Sequence, residues 1–287
     1  MKLALGTVQL GMNYGVANDK GQVGEQTAFN ILQTAQSLNI DTLDTARAYG
    51  TSEDILGKFN LKNFKIVSKL PSKPIGVNGL SSWVLDTFQE TLVSLNVESI
   101  YGFLLHRPLE LLEPDGIQIY EALADLKKSG RVTKIGLSIS NPKELETLLD
   151  RFDFDIIQSP LNILDRRLET SGWLRRLSSE GVEIHVRSAF LQGLLLMGAH
   201  DRPGYFSTWS ILLEEIKSWC KDNQLTLLEA CFAYLNQFKE IDKIVVGVQT
   251  PEQLQELACA YQVHPIRVPI NMQSDDPMLI NPANWNI

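Results

Sequence analysis

The chain has 287 residues, 44% hydrophobic and 21% charged, an ordinary globular composition with material for one large core. A formal net charge of −8 argues against nucleic acid or an anionic membrane as a partner, because both would be repelled at long range. The longest uncharged apolar run, residues 188–199, is shorter than the ~20 residues of a spanning helix, and the first residues carry too little apolar character for a signal peptide. A soluble, cytoplasmic protein is expected, as a monomer or small homo-oligomer. Cys220, Cys231 and Cys259 have no CxxC spacing and read as reduced thiols.

Short β-type runs alternate with longer amphipathic stretches from end to end. The first run, residues 3–7, is followed by a helical pattern at 27–38 with Ile31, Leu32, Ala35 and Leu38 on one face. A strand at 42–44 leads to a helix start at Ser52, with Asp54 in its first turn. After a strand at 64–69, residues 83–95 place Leu85, Phe88, Leu92 and Leu95 on one side. A strand at 102–106 precedes a helix over 117–128 that carries Ile119, Leu123 and Leu126. Strands at 134–138, 156–159, 183–187 and 243–248 then alternate with helical patterns at 142–149, 168–179, 211–222, 227–238 and 251–260. Gly130 and Gly181 stand where helices should end.

Eight β-then-α units in a chain of this length close most naturally into an α/β (β/α)₈ TIM barrel, a single domain over residues 1–264. The rival, an open doubly wound sheet, would need a glycine-rich phosphate loop after its first strand. Gly6-Thr7-Val8-Gln9-Leu10-Gly11 is not one. Residues 265–287, rich in Pro and Asn, form an irregular tail that either crosses the barrel mouth or extends over the surface.

Active sites of such barrels sit at the C-terminal ends of the strands. The second, third and fourth strands end at Asp44, Lys69 and His106, and Tyr49 follows Asp44 by five residues. A tyrosine phenol, with an ordinary pKa of ~10, is a poor acid at neutral pH. A neighbouring ammonium stabilises the phenolate, and a carboxylate orients that ammonium. An imidazole can position a carbonyl by hydrogen bonding. Hydride must come from a cofactor, since no side chain supplies one. Taken singly, each residue also has an ordinary structural reading: a cap, a solvated lysine, a core histidine, a rim aromatic. No metal site is expected, because His106, His185, His200 and His264 lack paired spacing.

The segments Gly6-Thr7, Asp44-Thr45-Ala46-x-x-Tyr49-Gly50-x-Ser52-Glu53, Ser68-Lys69 and Leu104-Leu105-His106-Arg107-Pro108 resemble the aldo-keto reductases. The resemblance continues through Ile135-Gly136-Leu137-Ser138, Gln158-Ser159-Pro160-Leu161-Asn162, residues 187–195 and residues 245–254, in family order along nearly the whole chain. It implies a (β/α)₈ barrel and NADPH-linked carbonyl reduction. Tyr49 would be the general acid, Lys69 and Asp44 its tuning pair, and His106 the carbonyl-orienting group. It further implies cofactor contacts from Thr7, Asp44, Ser138, Gln158, Arg187, Ser188, Leu191, Gly193, Gly247, Gln249 and Gln253.

Three departures from the family pattern stand out. Ile139 replaces the asparagine that often follows the serine, and Arg187 stands where many relatives stack a tyrosine on the nicotinamide. Residues 247–253 lack the Lys/Arg cluster that holds the 2′-phosphate of NADP, and Glu252 would repel it. NADP is therefore the expected cofactor by resemblance, with NAD possible from the local residues; backbone N–H groups at the helix start could still bind a phosphate.

On the substrate side, Tyr14 and Arg107 are the expected contacts, with Gln9, Asn13, Arg47, Asn162 and Arg166 as further donors. Arg107 either faces the pocket or pairs with Glu110. A sugar or sugar-derived carbonyl is the expected class of small-molecule substrate. Two other functions are open: a cofactor-binding regulatory subunit without significant turnover, and a lyase using Lys69 as a Schiff-base nucleophile.

Overall fold

The computed structural model describes residues 1–77 and 79–287. Strands β1 (Leu3–Gly6), β2 (Thr42–Asp44), β3 (Lys65–Leu70), β4 (Ile100–Leu105), β5 (Val132–Ser138), β6 (Ile156–Pro160), β7 (Glu183–Arg187) and β8 (Lys243–Gly247) pair in parallel. They close in sequence order, with β8 returning to β1. The (β/α)₈ expectation is met. Gly6 pairs with both Asp44 and Gly247, and Ser138 with Gln158, so neighbouring strands end at similar levels and present their last side chains together.

Alternate residues of a strand point to opposite faces, and the buried side chains divide accordingly. Leu5, Leu43, Ile66, Phe103, Leu137 and Ile184 join helix residues such as Ile31, Phe88 and Leu123 in one continuous core. Val67, Leu104 and Ile156, of the opposite parity, form a separate small cluster inside the barrel, with Tyr101 packed on it. Each such Leu, Ile, Val or Phe contributes roughly 1.5–3 kcal/mol of burial free energy. At the N-terminal end of the barrel, Glu183 accepts from Tyr101 at 2.6 Å and pairs with Lys134 and with His185, the latter at 2.7 Å. The opposite end is left for chemistry.

Most helices fall where the spacing places them, including Glu25–Ser37, Leu80–Leu95, Gly116–Lys128 and Pro251–Ala260. Three details differ. Leu85 is 40% exposed, while Val84, Thr87 and Thr91 are buried. The inward face of that helix includes two threonines, one of which donates to Glu53 at 3.3 Å, and this turns Leu85 outward. The stretch 168–179 is two helices, Arg167–Thr170 and Trp173–Ser179, because Gly172 between them has a φ of +83°. The last pattern before β8 ends at Leu235, three residues short.

The helix start expected at Ser52 is where helix Ser52–Leu56 begins, and it bears on the site. The Ser52 hydroxyl bonds the carbonyl and the hydroxyl of Thr7, both at 2.9 Å. Ser52 therefore ties the loop after β2 to the end of β1.

The tail is held by contacts near both of its ends. Arg166 donates to the carbonyls of Val268 and Pro269 at 3.2 and 3.0 Å, and Trp285 lies edge-on to Phe206 with centroids 4.8 Å apart. Residues 265–287 thus pack on the flank built from the loops after β6 and β7. Among the described residues, no helix is long and apolar enough to cross a membrane.

Candidate active site

The strand ends bring four of the expected residues together. Lys69 is wholly buried, and its ammonium has three hydrogens to donate. They meet three acceptors: Asp44 Oδ1 at 2.6 Å, the Thr45 carbonyl at 2.9 Å and the Tyr49 hydroxyl at 3.3 Å. The Tyr49 ring lies beneath the same cation, 4.9 Å from its centroid, and stands edge-on to His106 at 6.0 Å. Burial alone would lower the Lys69 pKa, but Asp44 and Tyr49 hold it above its ordinary value. The lysine is a fixed cation.

Local chain geometry makes this arrangement rigid. The loop after β2 is tied back by Thr45 N–H to the Val67 carbonyl at 2.8 Å and turns through Tyr49 N–H to the Ala46 carbonyl at 3.0 Å. Arg47 leaves the site and bonds Ser94 at 3.1 Å and Glu90 at 3.1 Å. Below it, Glu53 is buried and accepts from Ser68 at 2.5 Å. Arg47 is therefore scaffold and no substrate contact.

Asp44 has a second partner that the sequence does not announce. Gln158 donates its amide to Asp44 Oδ2 at 2.6 Å, and Ser138 donates to Gln158 Oε1 at 3.1 Å. A carboxylate only accepts, so the amide nitrogen must face Asp44. Ser138 and Gln158, expected from the resemblance as cofactor contacts, here form a buried chain that fixes the carboxylate. Thr7 supports the same residue, its hydroxyl donating to the Asp44 carbonyl at 3.0 Å.

His106 ends the fourth strand at the cavity wall. Burial, followed by the charges of Lys69 and Arg187, pushes its pKa down to about 4. The imidazole is therefore neutral at physiological pH, with one N–H to donate and one nitrogen to accept.

In front of these groups lies a cavity of about 800 Å³. Tyr49, His106 and Asp44 wall one end, Thr7, Gly247 and Arg187 the middle, and Gln249, Gln253 and Glu256 the other end. Arg187 donates to the Ile139 carbonyl at 3.0 Å and to Ser188 at 3.3 Å. A roof crosses the middle. Gln192 donates to Tyr14 at 3.2 Å, a Cβ on Gly193 would come within 2.6 Å of Ala17, and Gln249 bonds Asn18. The roof's second strap is the loop after β7, where Ser188, Leu191, Gln192 and Gly193 all have φ between +48° and +93°. Backbone of that kind clusters at ligand clamps.

Several expected contacts lie elsewhere. Leu191 is fully buried in the core beneath its loop and off the cavity wall, so it anchors the loop rather than touching a guest. Arg107 is exposed, off the wall, and makes no ion pair with Glu110 among the described residues. Glu110 instead accepts from the Lys73 N–H at 3.1 Å. Asn162 holds the Ser188 carbonyl at 2.9 Å, and Arg166 holds the tail. Asn13 is exposed and also off the wall. Conversely, Asn18, Gln192 and Glu256 line the cavity without having been singled out. Glu256 was legible as the residue one helical turn beyond Gln253; nothing local marked Asn18 or Gln192. Among the described residues, no group of three or more His, Cys, Asp or Glu could hold a metal ion.

A model of the aldo/keto reductase family matches residues 2–267. The NADH-specific methylglyoxal reductase of Escherichia coli is 23% identical over 300 residues, 92% of this chain and 90% of that protein. The L-glyceraldehyde 3-phosphate reductase of Escherichia coli is 26% identical over 185 residues, 58% of this chain and 53% of that protein. The holo form of an aldo-keto reductase from Bacillus halodurans shares the fold with a TM-score of 0.75 at 20% identity, covering 93% of this chain and 88% of that one.

Proposed function

This chain belongs to the aldo/keto reductase family, and we propose that it reduces a small aldehyde or ketone with a nicotinamide dinucleotide, Tyr49 delivering the proton. The observation that carries this reading is the Lys69 ammonium, buried with all three donors used and one of them on the Tyr49 hydroxyl.

The cavity fits the dinucleotide on its own features. Its volume lies within the ≈ 300–1,000 Å³ usual for small-molecule sites. Gln9 Oε1 is buried there without a partner among the described residues, an acceptor left for a guest's donor. A Cβ on Gly247 would come within 2.4 Å of the Gln9 amide and would push that side chain from its place on the floor. Thr7, Gly247, Gly193, Ser188 and Arg187 would hold the dinucleotide, with Arg187 the one permanent cation on the wall.

When bound, the dinucleotide supplies the hydride. The protein's own groups handle the proton and the charge. His106, neutral, donates its N–H to the carbonyl oxygen and places it beside the Tyr49 hydroxyl. Tyr49 gives up its proton to that oxygen as negative charge develops there. The Lys69 ammonium then faces a phenolate at a distance it already holds, and no reorganisation is needed. Asp44, clamped by Gln158, keeps Lys69 charged and aimed.

The same geometry weighs against a Schiff-base role. A nucleophilic lysine needs a free lone pair, and Lys69 is a triply bonded cation. It also weighs against a silent subunit, since the proton donor stands on an open cavity wall.

On substrate class, Met12, Tyr14 and Phe190 supply apolar surface beside the polar Arg187 and Gln192. This mixture suits a short aldehyde carrying a second oxygen, in line with the names of the methylglyoxal and glyceraldehyde 3-phosphate reductases. The test pairs dinucleotide binding, by fluorescence, with turnover on methylglyoxal and glyceraldehyde, by absorbance. Saturable binding with turnover supports the reading. Failure to bind either dinucleotide sinks it, as would a substrate adduct on Lys69 trapped by borohydride.

A further inference from the structure

The end of the cavity away from Tyr49 is acidic and short of donors. The hydride-bearing ring must reach Tyr49 and His106, so the adenosine half has the end walled by Thr226, Leu227, Leu228, Gln253, Glu256 and Leu257. Gln253, Glu256 and Leu257 lie three and four residues apart on helix Pro251–Ala260 and share its cavity face. The wall there offers leucines to a base and a carboxylate to its ribose.

At the start of this helix, the obvious place for a phosphate, the Gln249 and Gln253 N–H groups are already engaged. Pro251 has no N–H. The Glu252 N–H lies beside that residue's own carboxylate, which its backbone and Thr250 hold below the ordinary carboxylate range. The Gln253 N–H donates to Thr250 at 3.2 Å, and the Gln249 N–H to Gln253 Oε1 at 2.7 Å. Lys20 is the cation whose field reaches Glu252, and it is exposed and off the cavity wall. A 2′-phosphate, carrying about −1.5 to −2 charge, would meet the Glu256 carboxylate on the wall and no cation among the described residues that wall this end of the cavity. A 2′-hydroxyl would meet an acceptor, the arrangement by which an acidic residue selects the unphosphorylated ribose.

Resting on the dinucleotide reading above, we infer that this chain selects NADH over NADPH and that Glu256 makes the selection. The test is a fluorescence titration of the wild type, Glu256→Gln and Glu256→Lys with both dinucleotides at low and high salt. Glu256 is exposed, so these changes leave the core intact. The wild type should bind NADH about tenfold or more tightly than NADPH. Glu256→Gln should narrow that ratio. Glu256→Lys should raise NADPH affinity about tenfold, and added salt should remove much of the gain because the new attraction is screened.

Equal or tighter wild-type binding of NADPH overturns the inference while leaving the dinucleotide reading in place. An NADH preference unchanged in both variants overturns the assignment to Glu256. Binding of neither dinucleotide overturns both the inference and the reading on which it rests.

Discussion

The two ends of the cavity are built by opposite means. At the chemical end, Asp44, Lys69 and Gln158 sit on three strand ends, buried, and bond one another. At the far end, Asn18, Gln249 and Gln253 sit on loops and a helix start, half-buried, and bond as neutral amides. A buried charge cannot shift without losing its compensation, whereas half-buried neutral amide bonds exchange for water at smaller net cost. The first design fixes the surroundings of the Tyr49 hydroxyl, and the second holds the roof by neutral amides. Damage at the chemical end should therefore cost stability and turnover, and damage at the far end affinity and selectivity.

The hardest test of this contrast is Lys69→Met, which removes the cation and leaves the Asp44 carboxylate buried with Gln158 alone. Breaking a buried pair from one side costs about 3–5 kcal/mol, so the urea midpoint should fall sharply and turnover should be lost. A variant of wild-type stability would show that Asp44 is far better solvated than its burial implies. Tyr49→Phe separates chemistry from folding. Turnover should drop by roughly 10²–10⁴, with the urea midpoint and dinucleotide affinity near wild type, because only the half-buried hydroxyl is removed. Equal losses in binding and turnover would place Tyr49 in the roof's class instead.

The third effect is pH-dependent and belongs to the chemical end. The His106 pKa is depressed to about 4 by burial and by Lys69 and Arg187, against an ordinary value of ~6.5 in the unfolded chain. Below pH ~6.5 the unfolded state takes up this proton first, so its equilibrium gains. The stability tied to a neutral His106 is thus full above pH ~6.5 and drains away as pH falls through about 4, by roughly 3 kcal/mol at most. Urea midpoints measured from pH 7 to 4 should show this slope in the wild type and lose it in His106→Gln. Turnover should show no His106 titration between pH ~5 and 8.

The same division explains what could be read from the chain beforehand. Strand ends were legible because bounded apolar runs stop at Asp44, Lys69 and His106, and the barrel fixes where such ends converge. The Asp44–Gln158 bond was not legible. It joins residues 114 positions apart, and only the closure of β2 toward β6 across the barrel mouth makes them neighbours. The face of helix Leu80–Leu95 was misjudged at Leu85 because a buried threonine–glutamate bond, not hydropathy, sets its rotation. Arg47, Asn162 and Arg166 looked like substrate donors for a related reason. Each is polar and near the site in sequence, yet each spends its donors on scaffold oxygens.

The smallest expected effect is at the far end of the comparison. Gly193 has a φ of +93°, and a methyl there would press to within 2.6 Å of Ala17 in the first loop. Gly193→Ala should therefore cost about 1–3 kcal/mol in strained backbone, spread between the loop after β7 and the loop after β1. Because these are the two straps of the roof, the variant should bind dinucleotide several-fold more weakly, mostly through faster release. Among the described residues, Gly193 and Ala17 make no hydrogen bond to Lys69, Asp44 or Tyr49, so turnover at saturating dinucleotide should stay near wild type. Stopped-flow release rates beside saturated turnover would decide it. A fall in turnover with unchanged release would mean that the strained loop reaches the chemical end through Arg187 and Ser188, and that the two ends are one mechanical unit.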